Sequence, residues 1–122
     1  GMTMGADPLV SATATMSFLA GRRLEAFYVR KVAKKHGAAQ WVERSAHLPE
    51  KGAKAVILED VVTTGASTLR ALERAESTGI QVVGVVALVD RLEGGSAPVE
   101  AKVPFHSLFT RHDFIPPQTE EG

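Results

Sequence analysis

The segment Val56-Ile57-Leu58-Glu59-Asp60-Val61-Val62-Thr63-Thr64-Gly65-Ala66-Ser67-Thr68 passes from an apolar run through two acids into small hydroxyl-bearing residues. Ala55 to Leu58 reads as a buried strand. A helix follows from about Ser67 to Thr78, with Leu69, Leu72 and Ala75 on one face and Gly79 as its stop. Ile80 to Val89 is a further Val-rich run, closed by Asp90-Arg91. Continuous apolar strands alternating with a helix predict an α/β fold, with a parallel sheet covered on both faces. Ligands of such sheets bind at the carboxyl ends of the strands, where Glu59 and Asp60 are expected. Carboxylates there can accept hydrogen bonds from sugar hydroxyls or meet a divalent cation. Gly65 permits close backbone approach, and the N–H groups opening the next helix suit a phosphate. Either half alone is often only a polar turn or a helix start. Both in this order, on one strand-to-helix turn, fit a ribose phosphate. No Lys follows the Gly at Walker A spacing, and there is no G-x-G-x-x-G.

Outward from this segment, Asp7 reads as an N-cap and Pro8 as the first position of a helix over 8–20. Leu9, Ala12, Thr13, Met16 and Ala20 form its apolar face, and Gly21 ends it. Leu24 to Val29 reads as a buried strand. Arg30, Lys31, Lys34, Lys35 and His36 crowd into the next stretch, ahead of Gly37. Trp41-Val42 suggests a short strand and Pro49 to Gly52 a turn. Leu92 to Val99, with Gly94-Gly95 and Pro98, reads as a loop, and Val103 to Phe109 as an edge strand with Pro104 near its start. Arg70, Glu73, Arg74 and Glu76 look like an exposed helix face. His47, His106 and His112 lack ligand spacing, and Trp41 and the Phe residues read as core. One domain is expected over 1–115, with a polar, Pro-rich tail over 116–122. Gly1-Met2 reads as a cleavage scar before a start residue, and the abrupt entry into a helix suggests that more chain belongs upstream.

The chain has 122 residues, 44% hydrophobic and 23% charged, which excludes general disorder. Its 14 Lys+Arg balance 14 Asp+Glu, which argues against a broadly basic nucleic-acid binder. With no Cys, thiolate zinc sites and Cys nucleophiles are excluded. No apolar run approaches the ~20 residues of a membrane helix, and no signal peptide is visible. A soluble, cytoplasmic protein is expected.

Residues 56–68 resemble the 5-phosphoribosyl 1-diphosphate (PRPP) motif of the type I phosphoribosyltransferases: an apolar strand, two acids, two variable residues, then Thr/Ser-x-Gly and small hydroxyl residues. Phe27-Tyr28-Val29-Arg30-Lys31-Val32-Ala33-Lys34-Lys35-His36-Gly37 is similar to the catalytic loop of the orotate phosphoribosyltransferases. Val83 to Arg91 is similar to their strand ending in an orotate-contacting Arg. Val103 to Thr110 resembles their C-terminal strand, and Thr3-Met4-Gly5-Ala6-Asp7-Pro8 their pyrophosphate-loop region.

The resemblance implies a Rossmann-like type I fold lacking its N-terminal part, and transfer of phosphoribose from PRPP to orotate, giving orotidine 5′-monophosphate and pyrophosphate. It implies Lys34, His36, Arg30 and Lys31 as a catalytic, mobile lid over the pyrophosphate. Glu59 and Asp60 would hold the ribose hydroxyls, and Val61, Val62, Thr63, Thr64, Gly65, Ala66 and Ser67 would line the PRPP loop. Thr63 and Arg91 would contact orotate. Mg²⁺ would arrive mainly on PRPP oxygens, and a homodimer would share lid residues between subunits; no nucleic acid or membrane partner is implied. Met4 stands where the family usually has Lys, and Val42-Glu43-Arg44-Ser45 where it commonly has Ile-Glu-Gly. The missing N-terminal part would remove a hood over the base and leave a free sheet edge or an exposed apolar helix face, favouring self-association. A non-catalytic PRPP- or nucleotide-binding regulatory module of the same fold is the alternative.

Overall fold

The computed structural model describes residues 5–33, 41–44, 47, 49 and 51–117. Its elements are helix α1 (Asp7–Leu19), strands β1 (Phe27–Val29), β2 (Val42–Arg44) and β3 (Lys54–Val62), helix α2 (Ala66–Glu76), strand β4 (Gln81–Asp90), a short helix α3 (Ser96–Glu100), strand β5 (Phe105–Thr110) and a 3₁₀ turn over Arg111–Asp113. β3, β4 and β5 form a parallel sheet in that order, with α2 and α3 as the crossovers. β1 and β2 pair separately and antiparallel, with Val29 opposite Val42.

The core lies between α2 and the sheet. Thr68, Ala71, Leu72 and Ala75 of α2 are buried, and they pack towards Ile57 of β3 and Val82 and Val85 of β4. Phe27, Val29 and Val42 of the small β1–β2 ribbon join the same cluster. Each large apolar side chain fully buried here contributes about 1.5–3 kcal/mol.

Several expectations need correction. Glu59 to Val62 do not follow the strand; they belong to it, with Glu59 opposite Ala87 and Val62 opposite Asp90. The β-branched Val61 and Val62 extend the ladder beyond the acids. The strand expected over Leu24 to Val29 shrinks to Phe27–Val29, with Leu24 exposed. Part of the expected loop from Leu92 to Val99 is α3, whose buried Val99 anchors it and whose Pro98 falls in the first helical turn, where a missing N–H is harmless. Ala6, not Asp7, is the N-cap residue of α1, and Pro8 is its second residue.

The sheet is not covered evenly on both faces. On the face away from α2, Val56 and Val83 stay 45% and 40% exposed. α1 lies over this face but buries only Val10 within its own length, leaving Met16, Phe18 and Leu19 largely exposed. A groove of about 240 Å³ opens between them, lined by Val10, Ala14, Leu24, Val56, Leu58 and Val83 among others. It is an apolar space under α1, away from the turn between β3 and α2. Among the described residues no helix is long and apolar enough to cross a membrane.

Candidate active site

Three segments meet at the carboxyl end of β3: the turn before α1, the turn from β3 into α2, and the loop after β4. The β3–α2 turn is built for close approach. Gly65 is the N-cap of α2 at φ +82°, in the left-handed region that glycine adopts without strain. The helix carries no side-chain cap and no acid in its first turn. Its first intrahelical bond runs from Leu69 N–H to Gly65 O at 2.9 Å, so the N–H groups of residues 66–68 lie ahead of the ladder. Together with the positive dipole end they suit an anion. Thr63 is half-buried, and Thr64, Ala66 and Ser67 are exposed around this turn.

The loop after β4 is locked against the same turn. Arg91 N–H donates to Val62 O at 3.0 Å. A methyl group on Gly65 would lie 2.4 Å from Gly95 O, and one on Gly95 would lie 2.3 Å from Thr63 O. Two bare glycine backbones therefore set the spacing between the β3–α2 turn and the loop carrying Arg91. Asp90 is buried, and its Oδ1 accepts Leu92 N–H at 2.9 Å, holding Leu92 at φ +59°. Arg91 Nε faces Glu93 Oε2 at 3.5 Å, with both side chains exposed. Such a surface pair is worth under about 1 kcal/mol, so an incoming carboxylate can displace Glu93 from the guanidinium.

The turn before α1 closes the third side. A methyl group on Gly5 would lie 2.5 Å from Asp60 Oδ2, so the bare backbone at Gly5 accommodates that carboxylate. Asp60 Oδ1 accepts the Val61 N–H at 2.8 Å.

The two acids are separated by the pleat of β3, which sends adjacent side chains to opposite faces. Asp60 is half-buried beside Gly5. Glu59 is only 4% exposed and meets the Thr68 hydroxyl of α2, while its Oε1 has no hydrogen-bond partner. Burial pushes its carboxyl up to about 7, and the neighbouring Asp60 charge adds to the rise.

The site residues expected from sequence thus divide. Asp60, Thr63, Thr64, Gly65, Ala66, Ser67 and Arg91 converge. Val61 and Val62 are strand residues; Val62 is buried and offers only its main chain, which already binds Arg91. Glu59 lies beneath the site. Arg30 and Lys31 lie near the C-terminal half of α2, where Arg74 meets their carbonyl groups, and Arg30 forms an ion pair with Glu43 of β2. Arg74 follows Gly65 by nine residues, about 13 Å along the helix. Lys34 and His36, with Met4, lie outside the described residues. Among the described residues no three His, Asp or Glu side chains converge as a metal site. Gly5 and Thr68 fall within the stretches whose resemblance was noted, but neither was assigned a role of its own. Arg74 and Gly95 were not expected at the site, and only the Gly94-Gly95 pair carried a signal, since a bare backbone in a loop invites a close neighbour.

The family model of the phosphoribosyl transferase domain matches residues 6–112. The orotate phosphoribosyltransferase of Sorangium cellulosum is 50% identical over 117 residues, covering 95% of this chain and 60% of that protein. The crystal structure of Mycobacterium tuberculosis orotate phosphoribosyltransferase in complex with Fe(III) dicitrate matches with a TM-score of 0.83 at 36% identity, over 94% of this chain and 63% of that one. The same enzyme in complex with PRPP gives 0.76 at 34% identity, over 93% and 61%. The chain spans about three fifths of the length of these relatives. A domain match that begins at the turn before α1 and ends inside the 3₁₀ turn after β5 takes in every strand and helix described here, and the chain belongs to the phosphoribosyl transferase domain family.

Proposed function

We propose that this chain is the core of an orotate phosphoribosyltransferase, a pentosyltransferase that joins orotate to PRPP. The observation that carries the reading is the glycine-to-glycine contact of Gly65 and Gly95, which fixes a phosphate turn and an exposed arginine side by side at one strand end. The 5′-phosphate sits on the N–H groups and hydroxyls of residues 63–67. Asp60 takes a ribose hydroxyl, and Arg91 leaves Glu93 to fork onto the orotate carboxylate. Glu59 reaches the ribose only by leaving its pocket against Thr68, and ionisation favours that move.

In the reaction the bond from ribose C1 to pyrophosphate breaks as orotate N1 attacks, through an oxocarbenium-like transition state. Negative charge grows on the departing pyrophosphate, which cations from Arg30, Lys31 and Lys34 stabilise, with His36 as proton donor. Arg30 must first exchange Glu43 for the diphosphate. A magnesium ion carried on PRPP oxygens fits this reading, with Asp60 as a half-buried carboxylate at the site; the ion would supply charge neutralisation when bound. A cytoplasmic homodimer with cationic residues shared between subunits completes the proposal.

The test is orotate consumption followed by absorbance, with PRPP and Mg²⁺. Turnover supports the enzyme. PRPP binding by calorimetry without turnover favours a nucleotide-binding module of the same fold. Absence of both removes the site.

A further inference from the structure

We propose that Arg74 is a positioning residue that fixes Arg30 and Lys31 for the diphosphate end of the donor, an inference that rests on the proposed PRPP site. Arg74 read as one charge on an exposed helix face, yet it is half-buried. Its Nη1 donates to Arg30 O at 2.8 Å and to Lys31 O at 3.1 Å. Its guanidinium lies 4.1 Å from the centroid of the Trp41 ring. Trp41 in turn accepts the Arg30 N–H on its main-chain oxygen at 2.8 Å. One guanidinium therefore gathers the residues that leave β1 and the residue that enters β2.

A cation has an electrostatic reason to avoid Arg30 and Lys31. It is held there by carbonyl dipoles and by the face of an aromatic ring. These bonds go to the main chain of the two residues, so their backbone position is set while the Lys31 side chain stays exposed and Arg30 keeps its exchangeable ion pair with Glu43. The helix that carries Arg74 also opens at the phosphate turn, so one rigid element connects the two halves of the donor site. Lysine can reach the carbonyls, but it lacks the planar fork that stacks and donates at once.

Calorimetry with Mg²⁺-PRPP and with ribose 5-phosphate separates the roles, because only PRPP carries a diphosphate. Arg74→Ala is expected to weaken PRPP binding at least tenfold and leave ribose 5-phosphate within twofold, with Arg74→Lys in between. Trp41 is the sole tryptophan, so acrylamide quenching of its fluorescence reads the clamp directly. Quenching is expected to rise at least twofold in Arg74→Ala. Equal loss of both ligands assigns Arg74 a merely structural role and overturns the proposal, as does unchanged PRPP affinity or unchanged quenching. If the unsubstituted protein binds neither ligand, the site reading itself falls and the positioning role falls with it, whatever the quenching shows.

Discussion

At Glu59, stability and the proposed role at the ribose pull in opposite directions. Its carboxyl, usual value 4.5, is pushed up to about 7 by burial. Between those values the folded chain holds a proton that the unfolded chain has released. The stabilising contribution is therefore complete below pH 4.5 and is lost as the pH rises through 7. The ionised form costs on the order of 3 kcal/mol above that range. Glu59→Gln is expected to raise the Tm at pH 8, to change it little at pH 4.5, and to weaken PRPP binding. An equal Tm change at both values would show that the carboxyl is already ionised in its pocket. Arg91 lies at the other extreme, on the surface with a weak partner. Arg91→Leu is expected to raise the KM for orotate at least tenfold with the Tm unchanged, and Arg91→Lys to recover little, since an ammonium cannot fork to a carboxylate. A KM for orotate that stays put in Arg91→Leu would remove the contact.

At the scale of elements, the relation between the β3–α2 turn and the loop after β4 is set by contact of main chains. Gly95→Ala puts a methyl group 2.3 Å from Thr63 O, 2.7 Å from Gly65 N and 2.8 Å from Thr64 C. These are backbone atoms, which cannot swing aside as a side chain does. The two loops must part, at a cost of about 1–3 kcal/mol. Steady-state kinetics is expected to show KM rising for orotate and PRPP together; a rise for one substrate alone would place the defect in one loop. α2 was well marked in the sequence because Leu72 and Ala75 recur at helical spacing and Gly79 ends the run. Its partners were less legible. Arg74 has the residue type and setting of a solvated charge, and only the return of Trp41 towards Arg30 gives it buried work.

Across the whole molecule, apolar surface is distributed unequally. Met16, Phe18, Leu19 and Leu24 are more than half exposed around α1, and β3 pairs with β4 alone among the described strands. A β3 edge unpaired among the described strands and the exposed apolar residues of α1 favour association between copies. Analytical ultracentrifugation is expected to show dimers or larger species at tens of micromolar, and Phe18→Lys with Leu19→Lys to shift the protein towards monomer; sedimentation unaffected by the double change would acquit that helix. The sequence by itself determined the α/β class, the parallel sheet of apolar strands and the glycine turn that opens α2, because burial, glycine conformation and helix start are written in short spans of residue type. Only the tertiary structure decided that β3 runs through its acids, that Glu59 and Asp60 part to opposite faces, that Gly95 meets Gly65, and that Arg74 holds Arg30 and Lys31. The first two follow once β3 pairs with β4 past its acids, and the last two depend on segments distant along the chain coming into contact; residue type in a local window carries no record of a neighbour thirty or forty positions away.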